Sequence, residues 1–206
     1  MPAILAIILI FLAFAVTHSL LAADRTKGIA IRLAGAGFVR AYYRLFYVAF
    51  SAVSASAAFY LIARLPDMTV WKPPLMVQAF MSLLQLAGAA LGIAAFSGMD
   101  FLEFAGMRQA IRRMKKMDEP AGDAEGIRQR LVVRGLYGVI RHPLYAAAIL
   151  VFSFMPVLTR NWVTVSALAD LYFIWGALIE EKRLIKRFGQ DYLEYMKKVP
   201  RFIPRF

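Results

Sequence analysis

The residues best suited to chemistry begin at positions 141–145, which read Arg-His-Pro-Leu-Tyr. Pro143 suits the first turn of a helix, where its missing N–H leaves no hydrogen bond unmade. His142 would then lie at the start of that helix, where the helix dipole disfavours a cation. A neutral imidazole both donates and accepts a hydrogen bond, so His142 can hold a ligand or move a proton. The alternative is that His142 only caps the helix.

A second reactive pair, Glu180 and Glu181, follows about 35 residues later, at the end of an apolar run. Carboxylates at a membrane border are costly and therefore indicate function. Glu180 has Arg183 three residues on, so a helical ion pair explains it. Glu181 has Leu184 and Ile185 at the corresponding positions. We therefore expect a basic residue from another segment, or a cationic ligand, to balance Glu181; the alternative is that it faces water.

Three further places are weaker candidates. His18 lies near the end of the first apolar run and is a second possible proton acceptor. Asp100 and Glu103 share one helix face, and each could line a site or stabilise a helix contact. Asp170 lies inside the last apolar run, where a bare carboxylate is costly, so we expect it to be protonated or paired with Tyr172 or a serine of the second helix.

The composition indicates a membrane protein. Hydrophobic residues make up 61% of the 206 residues and charged residues 18%, whereas average soluble domains are less apolar and more charged. The chain has no cysteine, which excludes a thiol nucleophile, an iron–sulfur cluster and a zinc–thiolate site, and its two histidines argue against a histidine-rich metal centre. We expect no metal ion.

The apolar runs predict an all-α polytopic membrane protein with about five transmembrane helices. A span needs about 20 apolar residues, and the runs are 2–23, Leu45–Ala63, Leu75–Met99, Tyr145–Thr159 and Trp162–Ile179. The last two would form a tight hairpin around Arg160 and Asn161. Gly88 and Gly92 let a neighbouring backbone approach the third helix closely. After Gly189, a short amphipathic C-terminal helix is expected at the membrane interface, with Tyr192, Tyr195 and Met196 against lipid or protein.

The distribution of positive charge sets the predicted orientation. The net charge is +12, which a basic nucleic-acid-binding protein would also show. Of the 25 Lys and Arg residues, however, 22 fall in the predicted loop 24–44, the segment 100–142 and the tail 182–206, on one side of the predicted bundle. This alternation predicts an outside N-terminus and a cytoplasmic C-terminus, and argues against nucleic acid as a partner.

The motifs occur in an order that resembles the integral-membrane methyltransferases, which include isoprenylcysteine carboxyl methyltransferase and the phospholipid N-methyltransferases. The residues that carry the resemblance are Arg141-His142-Pro143-Leu144-Tyr145, Glu180-Glu181, Phe188-Gly189-x-x-Tyr192-x-x-Tyr195 and Val199-Pro200. The segments His18–Ala22, Tyr43–Tyr47 and Asp100–Gln109 are similar to the bacterial subgroup containing methanethiol S-methyltransferase.

The resemblance implies one domain over residues 1–206, with a three-helix membrane half (1–99) and a cofactor-binding catalytic half (128–204). It implies S-adenosylmethionine as cofactor, S-adenosylhomocysteine as product, a lipophilic small molecule or lipid as substrate, and a cytoplasm-facing site in a bacterial or archaeal inner membrane. The implied cofactor contacts are Gln129, Arg130, Leu131, Val132, Tyr137, His142, Pro143, Leu144, Tyr145, Glu180 and Glu181. The catalytic candidates are His142, Glu181 and His18, and the substrate-binding candidates are Arg44, Asp100 and Glu103.

The acceptor stays open at this point. A small thiol is the first choice, and a phospholipid or an isoprenylcysteine is the alternative. The stretch Trp175–Leu178 has no arginine where the isoprenylcysteine enzyme has one, which argues against a carboxylate-bearing prenyl substrate. A further alternative is a non-catalytic membrane sensor or transporter-associated protein of the same fold.

Overall fold

The computed structural model describes residues 3–97, 100–117 and 131–204. The described part is helical apart from one short ladder, which confirms the predicted all-α class. The helices are α1 (Ala3–Ala22), α2 (Asp24–Ala34), α3 (Ala36–Ala63), α4 (Leu75–Ser97), α5 (Phe101–Phe104), α6 (Met107–Met114), α7 (Pro143–Ser153), α8 (Arg160–Phe188) and α9 (Gln190–Lys198). A 3₁₀ helix covers Gly135–Gly138, and the strands are β1 (Thr69–Trp71) and β2 (Leu158–Thr159).

Four of these helices are long and apolar enough to cross a membrane: α1, α3, α4 and α8, with 20, 28, 23 and 29 residues. The fourth predicted span is instead the short apolar helix α7, whose 11 residues extend about 16 Å. The second span begins nine residues earlier than predicted, at Ala36. The apolar run underestimates the length of this helix because helical hydrogen bonding continues through Arg40 and Arg44, whose charges interrupt the run.

The described residues form two compact units. The first comprises residues 3–8, 65–97 and 131–204, and holds α4, α7, α8, α9 and both strands. The second comprises residues 9–64 and 100–117, and holds α2, α3, α5, α6 and most of α1. Helix α4, which the sequence assigned to the N-terminal half, therefore packs with the C-terminal helices.

Close packing of α4 on α7 holds the first unit together. Gly88 faces α7, and a Cβ placed there would lie 2.7 Å from Leu150 Cβ and 3.0 Å from the carbonyl oxygen of Ala147. A Cβ on Gly92 would meet Ala147 at an ordinary 3.5 Å. The predicted role in close helix approach is confirmed for Gly88, whereas the position of Gly92 has room for a side-chain carbon.

The short helix α7 ends where neighbouring helices donate to its last carbonyl groups. Gln85 of α4 donates to the carbonyl of Val151 at 3.0 Å. Trp162 Nε1 and Ser166 Oγ of α8 donate to the carbonyl of Phe152 at 2.9 and 2.7 Å. A helix end away from water needs such partners, because unpaired carbonyl groups are costly there.

Asp170 is paired, but with a different partner from those predicted. Ser153, the last residue of α7, donates from Oγ to Asp170 Oδ2 at 2.6 Å. The α7–α8 hairpin brings the two together, an arrangement that local spacing does not reveal.

The turn between α7 and α8 also differs from the prediction. Arg160 and Asn161 are the first residues of α8, and Thr159 caps this helix by accepting a hydrogen bond from the Trp162 N–H at 3.2 Å. The reversal lies before Thr159, where β2 pairs antiparallel with β1. A threonine just before the first helical residue is a common start signal, and the tight turn predicted at Arg160 is therefore wrong.

In the second unit, two tyrosines of α3 bind the end of α1. Tyr43 Oη donates to the carbonyl of Leu21 at 2.7 Å, and the Tyr47 hydroxyl lies 2.7 Å from His18 Nε2. Helix α2 occupies part of the segment 24–44 that the sequence treated as a loop, and it ends at Gly35, which has a φ of +85°.

Candidate active site around His142 and Glu181

Three chain segments of the first unit meet at His142. The residues just before α7 supply Arg141 and His142, and α8 supplies the two glutamates. The third segment follows α9 and runs beside Arg141 and His142. The Arg141 N–H donates to the carbonyl of Pro200 at 2.8 Å, and the His142 N–H donates to the carbonyl of Arg201 at 3.1 Å. These two backbone hydrogen bonds fix the C-terminal segment against the start of α7.

Glu181 is buried between two arginines. Its exposed fraction is 3%. Arg141 donates to Oε1 from Nε at 2.9 Å and from Nη2 at 2.7 Å. Arg201 donates from Nε to Oε1 at 3.1 Å and from Nη2 to Oε2 at 2.6 Å. The expectation that a basic residue from another segment balances Glu181 is confirmed, and the water-facing alternative is wrong.

Arg141 also ties down the end of α9. Its Nη1 donates to the carbonyl groups of Met196 at 3.1 Å and Val199 at 2.5 Å. One guanidinium therefore joins α8, α9 and the C-terminal segment. Since an arginine presents five N–H groups in a fixed fork, it can satisfy all these acceptors at once.

Helix α9 packs through two tyrosines rather than lying free. Tyr192, Tyr195 and Val199 form a buried cluster, against which Leu131 packs. Tyr195 Oη donates to the carbonyl of Tyr137 at 2.5 Å, which fixes the 3₁₀ helix. Burial raises the pKa of Tyr195 to about 12, so its hydroxyl keeps the proton that it donates.

His142 is buried and faces both glutamates. Its Nε2 lies 3.2 Å from Glu181 Oε1, and its Nδ1 lies 3.6 Å from Glu180 Oε2. Burial lowers the pKa of His142 below 6.5, and the carboxylates of Glu180 and Glu181 oppose this without reversing it. The imidazole is therefore neutral at pH 7, as its position at a helix start predicts. Its side chain makes no capping hydrogen bond to α7 among the described residues, so capping is not its role.

Aromatic rings flank the imidazole. Tyr145 stacks with it at a centroid distance of 5.4 Å and an interplanar angle of 21°, and Phe202 lies tilted at 5.9 Å. Ring faces attract cations, so this surround suits a ligand that carries positive charge.

Glu180 differs from its neighbour in exposure. Its side chain is 45% exposed, whereas that of Glu181 is 5% exposed. The 3.6 Å separation from His142 is longer than a normal hydrogen bond, so His142 does not use up this carboxylate. Glu180 can therefore meet a cationic group that approaches His142 and the rings.

The other predicted cofactor contacts occupy the same unit. Pro143 is fully buried at the first position of α7, followed by Leu144 and Tyr145. Leu131 packs beneath α9, while Val132 is 47% exposed. Gln129 and Arg130 lie outside the described residues, and the roles predicted for this whole set stay predictions.

Two of the remaining predicted residues, His18 and Arg44, lie in the second unit. His18 pairs with Tyr47, as described above. Arg44 Nε donates to the carbonyl of Phe104 at 2.7 Å, and its guanidinium lies 4.7 Å from the centre of the Phe104 ring.

Asp100 and Glu103, also in the second unit, support local structure. Asp100 caps α5 by accepting from the Glu103 N–H at 3.1 Å, and its other oxygen pairs with Arg108 Nε at 2.5 Å. These contacts lower the pKa of Asp100, the backbone N–H of Glu103 contributing most. The helix contact that the sequence offered as an alternative to substrate binding is therefore what Asp100 makes here.

Sequence reasoning missed Arg201 and Phe202. Both contact site residues, although they follow Pro200 in a basic tail that had no motif of its own beyond Val199-Pro200. The available signal was Glu181 itself, a carboxylate with no helical partner and an arginine only 20 residues further on.

The relatives of this chain are methyltransferases. Methanethiol S-methyltransferase of Pseudomonas deceptionensis is 28% identical over 203 residues, 98% of this chain and 73% of that protein. Methanethiol S-methyltransferase 1 of Bradyrhizobium diazoefficiens is 27% identical over 200 residues, and the enzyme of Crocosphaera subtropica is 25% identical over 193. The chain spans 65% and 71% of the length of these two proteins. No family profile matches the chain, and no solved structure matches it.

Along nearly its whole length the chain is similar to the class of membrane methyltransferases that its motifs predicted, and four of its described helices are long and apolar enough to cross a membrane. Within that class, its curated relatives are named methanethiol S-methyltransferases, and the similarity covers 93% to 98% of the chain in the three above. The resemblance inferred from the motifs is therefore confirmed.

Proposed function

We propose that this protein transfers the methyl group of S-adenosylmethionine to a small lipophilic thiol. The observation that carries the proposal is the half-exposed carboxylate of Glu180 beside the buried, neutral imidazole of His142. Relatives named for the methylation of methanethiol support the choice of a thiol.

The residues around His142 fit this methyl donor. S-adenosylmethionine carries a sulfonium and an ammonium group, and both need negative charge or ring faces nearby. Glu180 offers a carboxylate, and Tyr145 and Phe202 offer rings. Glu181 is already saturated by two arginines, so we assign it to holding the site rather than to contacting the ligand.

When bound, S-adenosylmethionine supplies an electrophilic methyl group and leaves as S-adenosylhomocysteine. The protein's own contribution is position, since catalysis of such a displacement depends mainly on alignment. Glu181, which Arg141 holds in place, contacts the imidazole of His142, and Tyr145 stacks on it. Because His142 is neutral, it can accept the proton that a thiol loses.

The second unit offers another proton acceptor, His18, which is hydrogen-bonded to Tyr47. The two histidines are distinguishable by substitution, because each has its own partners. If a His18 variant loses turnover at every pH and no longer shows the wild type's decline at low pH, while a His142 variant keeps both, the proton goes to His18.

The surroundings of Tyr145 support a small acceptor. Tyr145 Oη lies 4.0 Å from the position of a Cβ on Gly176 of α8. Gly176 belongs to the stretch Trp175–Leu178, which has no arginine to bind a carboxylate. A substrate without an anionic group suits this surface better than a prenylated cysteine does.

We further propose that the site faces the cytoplasm of a bacterial or archaeal inner membrane. Its residues adjoin the basic segments that the positive-inside rule assigns to that side. The charged methyl donor would then arrive from the cytoplasm, and the lipophilic acceptor from the bilayer.

A methyl-transfer assay tests the proposal. The purified full chain in detergent is given S-adenosylmethionine and a panel comprising a small thiol, a prenylcysteine, phosphatidylethanolamine and a quinone-like phenol. We expect S-adenosylhomocysteine to form with the thiol and calorimetry to show binding of S-adenosylmethionine. His142→Ala and Glu180→Gln should lower both signals.

Lys182→Gln serves as the matched control, because Lys182 is an exposed neighbour of the two glutamates on α8. It should leave turnover unchanged. Turnover with phosphatidylethanolamine instead of the thiol would reassign the substrate. Absence of binding in the wild type and both variants would overturn the methyltransferase assignment.

A further inference from the structure

Helix α2 carries a small cavity that the methyltransferase site does not use. The cavity has a volume of about 370 Å³ and is lined by Arg25, Gly28, Ile29 and Arg32. These positions follow the spacing i, i+3, i+4 and i+7, which places them on one face of the helix. No described residue of α2 is buried, so this face lies at the surface of the second unit.

In the part of the chain that the structure describes, the two arginines of this face have no partner of opposite charge. The nearest acidic side chain on the helix, Asp24, lies 3.8 Å from Lys27 Nζ. Among the described residues, neither Arg25 nor Arg32 has a carboxylate within ion-pair distance. The backbone positions of the two arginines lie about 10 Å apart along the helix axis, and two guanidinium groups on one helix face attract an anion.

Gly28 leaves room for such an anion. Among the described residues, no atom outside the adjoining backbone of α2 lies within 4 Å of the position that a Cβ on Gly28 would take. A group held between the two arginines can therefore come close to the helix backbone there.

Apolar side chains flank the same face. Ile29 is 50% exposed and Leu33, four residues further on, is 83% exposed. A helix with exposed aliphatic residues beside arginines is typical of the membrane interface, where the aliphatic groups meet acyl chains and the arginines reach the headgroups.

We propose that α2 binds an anionic phospholipid, with Arg25 and Arg32 holding its phosphate above Gly28 and Ile29 and Leu33 against its acyl chains. The position of α2 directly after α1 in the chain supports a lipid rather than a dissolved anion as the ligand. Helix α2 follows the membrane-crossing helix α1 after a single residue, so its start lies at the membrane surface. This inference is independent of the methyl-transfer proposal.

Lipid binding to the purified full chain in detergent tests the proposal. The chain is titrated with phosphatidylglycerol or phosphatidylcholine of identical short acyl chains, and the dissociation constants are compared. We expect tighter binding of phosphatidylglycerol. The double variant Arg25→Gln/Arg32→Gln should bind it about 25-fold more weakly, at about fivefold for each arginine near an anionic surface.

The matched control is Lys182→Gln/Lys186→Gln, which removes the same charge from exposed positions of α8. It should keep the affinity of the wild type. Equal losses in both double variants would overturn the proposal, because general basicity would then explain the binding. Equal affinity of the wild type for the two lipids would also overturn it.

Competition with inorganic phosphate distinguishes a lipid site from a site for free anions. If phosphate at millimolar concentration displaces phosphatidylglycerol, the face binds free anions and the lipid assignment is wrong. An unchanged melting temperature in both double variants shows that the losses come from the binding face and not from unfolding.

Discussion

Exchanging Glu181 for glutamine should lower the melting temperature of the protein. Glutamine has nearly the same shape but no charge, so Arg141, with a side chain 7% exposed, would keep its positive charge without a counter-charge. Breaking a buried ion pair from one side costs about 3 to 5 kcal/mol. We take about 3 kcal/mol, because the Arg201 side chain is 36% exposed and can turn towards water. In a protein of this length, that lowers the melting temperature by about 6 to 12 °C.

The same exchange at Glu180 should act on the ligand instead. The Glu180 side chain is 45% exposed and lies beyond hydrogen-bond distance from His142, so the folded state loses little with it. A hydrogen bond to a charged group contributes about 1.5 to 3 kcal/mol. Glu180→Gln should therefore weaken the binding of S-adenosylmethionine about 10- to 100-fold and shift the melting temperature by less than about 2 °C.

Intrinsic fluorescence during heating gives the melting temperature of the full chain in detergent, and calorimetry gives the affinity for S-adenosylmethionine. Lys182→Gln removes an exposed charge next in sequence and should change neither quantity. The prediction is wrong if Glu181→Gln has the melting temperature of the wild type, or if Glu180→Gln is the variant whose melting temperature falls.

Two further expectations concern pH and helix packing. Burial keeps the pKa of His142 below 6.5, so the unfolded chain binds a proton on this residue before the folded chain does as the pH falls. The contribution of the neutral imidazole to the free energy of unfolding is therefore fully present above about pH 6.5 and is lost below it. His142→Gln should flatten that dependence in melting curves from about pH 8 to pH 5, and an unchanged slope would contradict the sign. Gly88→Ala should cost about 1 to 3 kcal/mol because its Cβ would lie 2.7 Å from that of Leu150. Gly92→Ala, with 3.5 Å available, should be neutral or stabilising, and equal melting temperatures for both variants would refute the α4–α7 contact.

The sequence predicts those features that depend on local pattern. Apolar length predicts α1, α4 and α8, because crossing a bilayer requires about 20 such residues. The proline at position 143 predicts the start of α7, and the structure places it at the first helical position. The missing i+3 and i+4 partners of Glu181 predict that another segment must supply its counter-charge, which Arg141 and Arg201 do.

Features that depend on folding back were not predictable in this way. Arg201 reaches Glu181 only because Gly189, with a φ of +56°, ends α8 and lets α9 turn back. Helix α2 was predicted as a loop because its three basic residues keep its apolar residues from forming a long run. A helix that lies on a surface needs only one apolar face, so a search for long apolar runs passes over it.

The unlike roles proposed for the two adjacent glutamates follow from helix geometry. Successive residues of an α-helix point about 100° apart, so when one of two neighbours points inward the other points sideways. Position 181 of α8 points inward and meets Arg141 and Arg201. A carboxylate at this position supplies a counter-charge to both guanidinium groups. The sideways position adjoins the ring of His142 and solvent, where a charge is free to meet a ligand. A Glu181→Gln variant keeps the carboxylate of Glu180. That carboxylate cannot take the place of the lost one between Arg141 and Arg201, because position 180 points in a different direction.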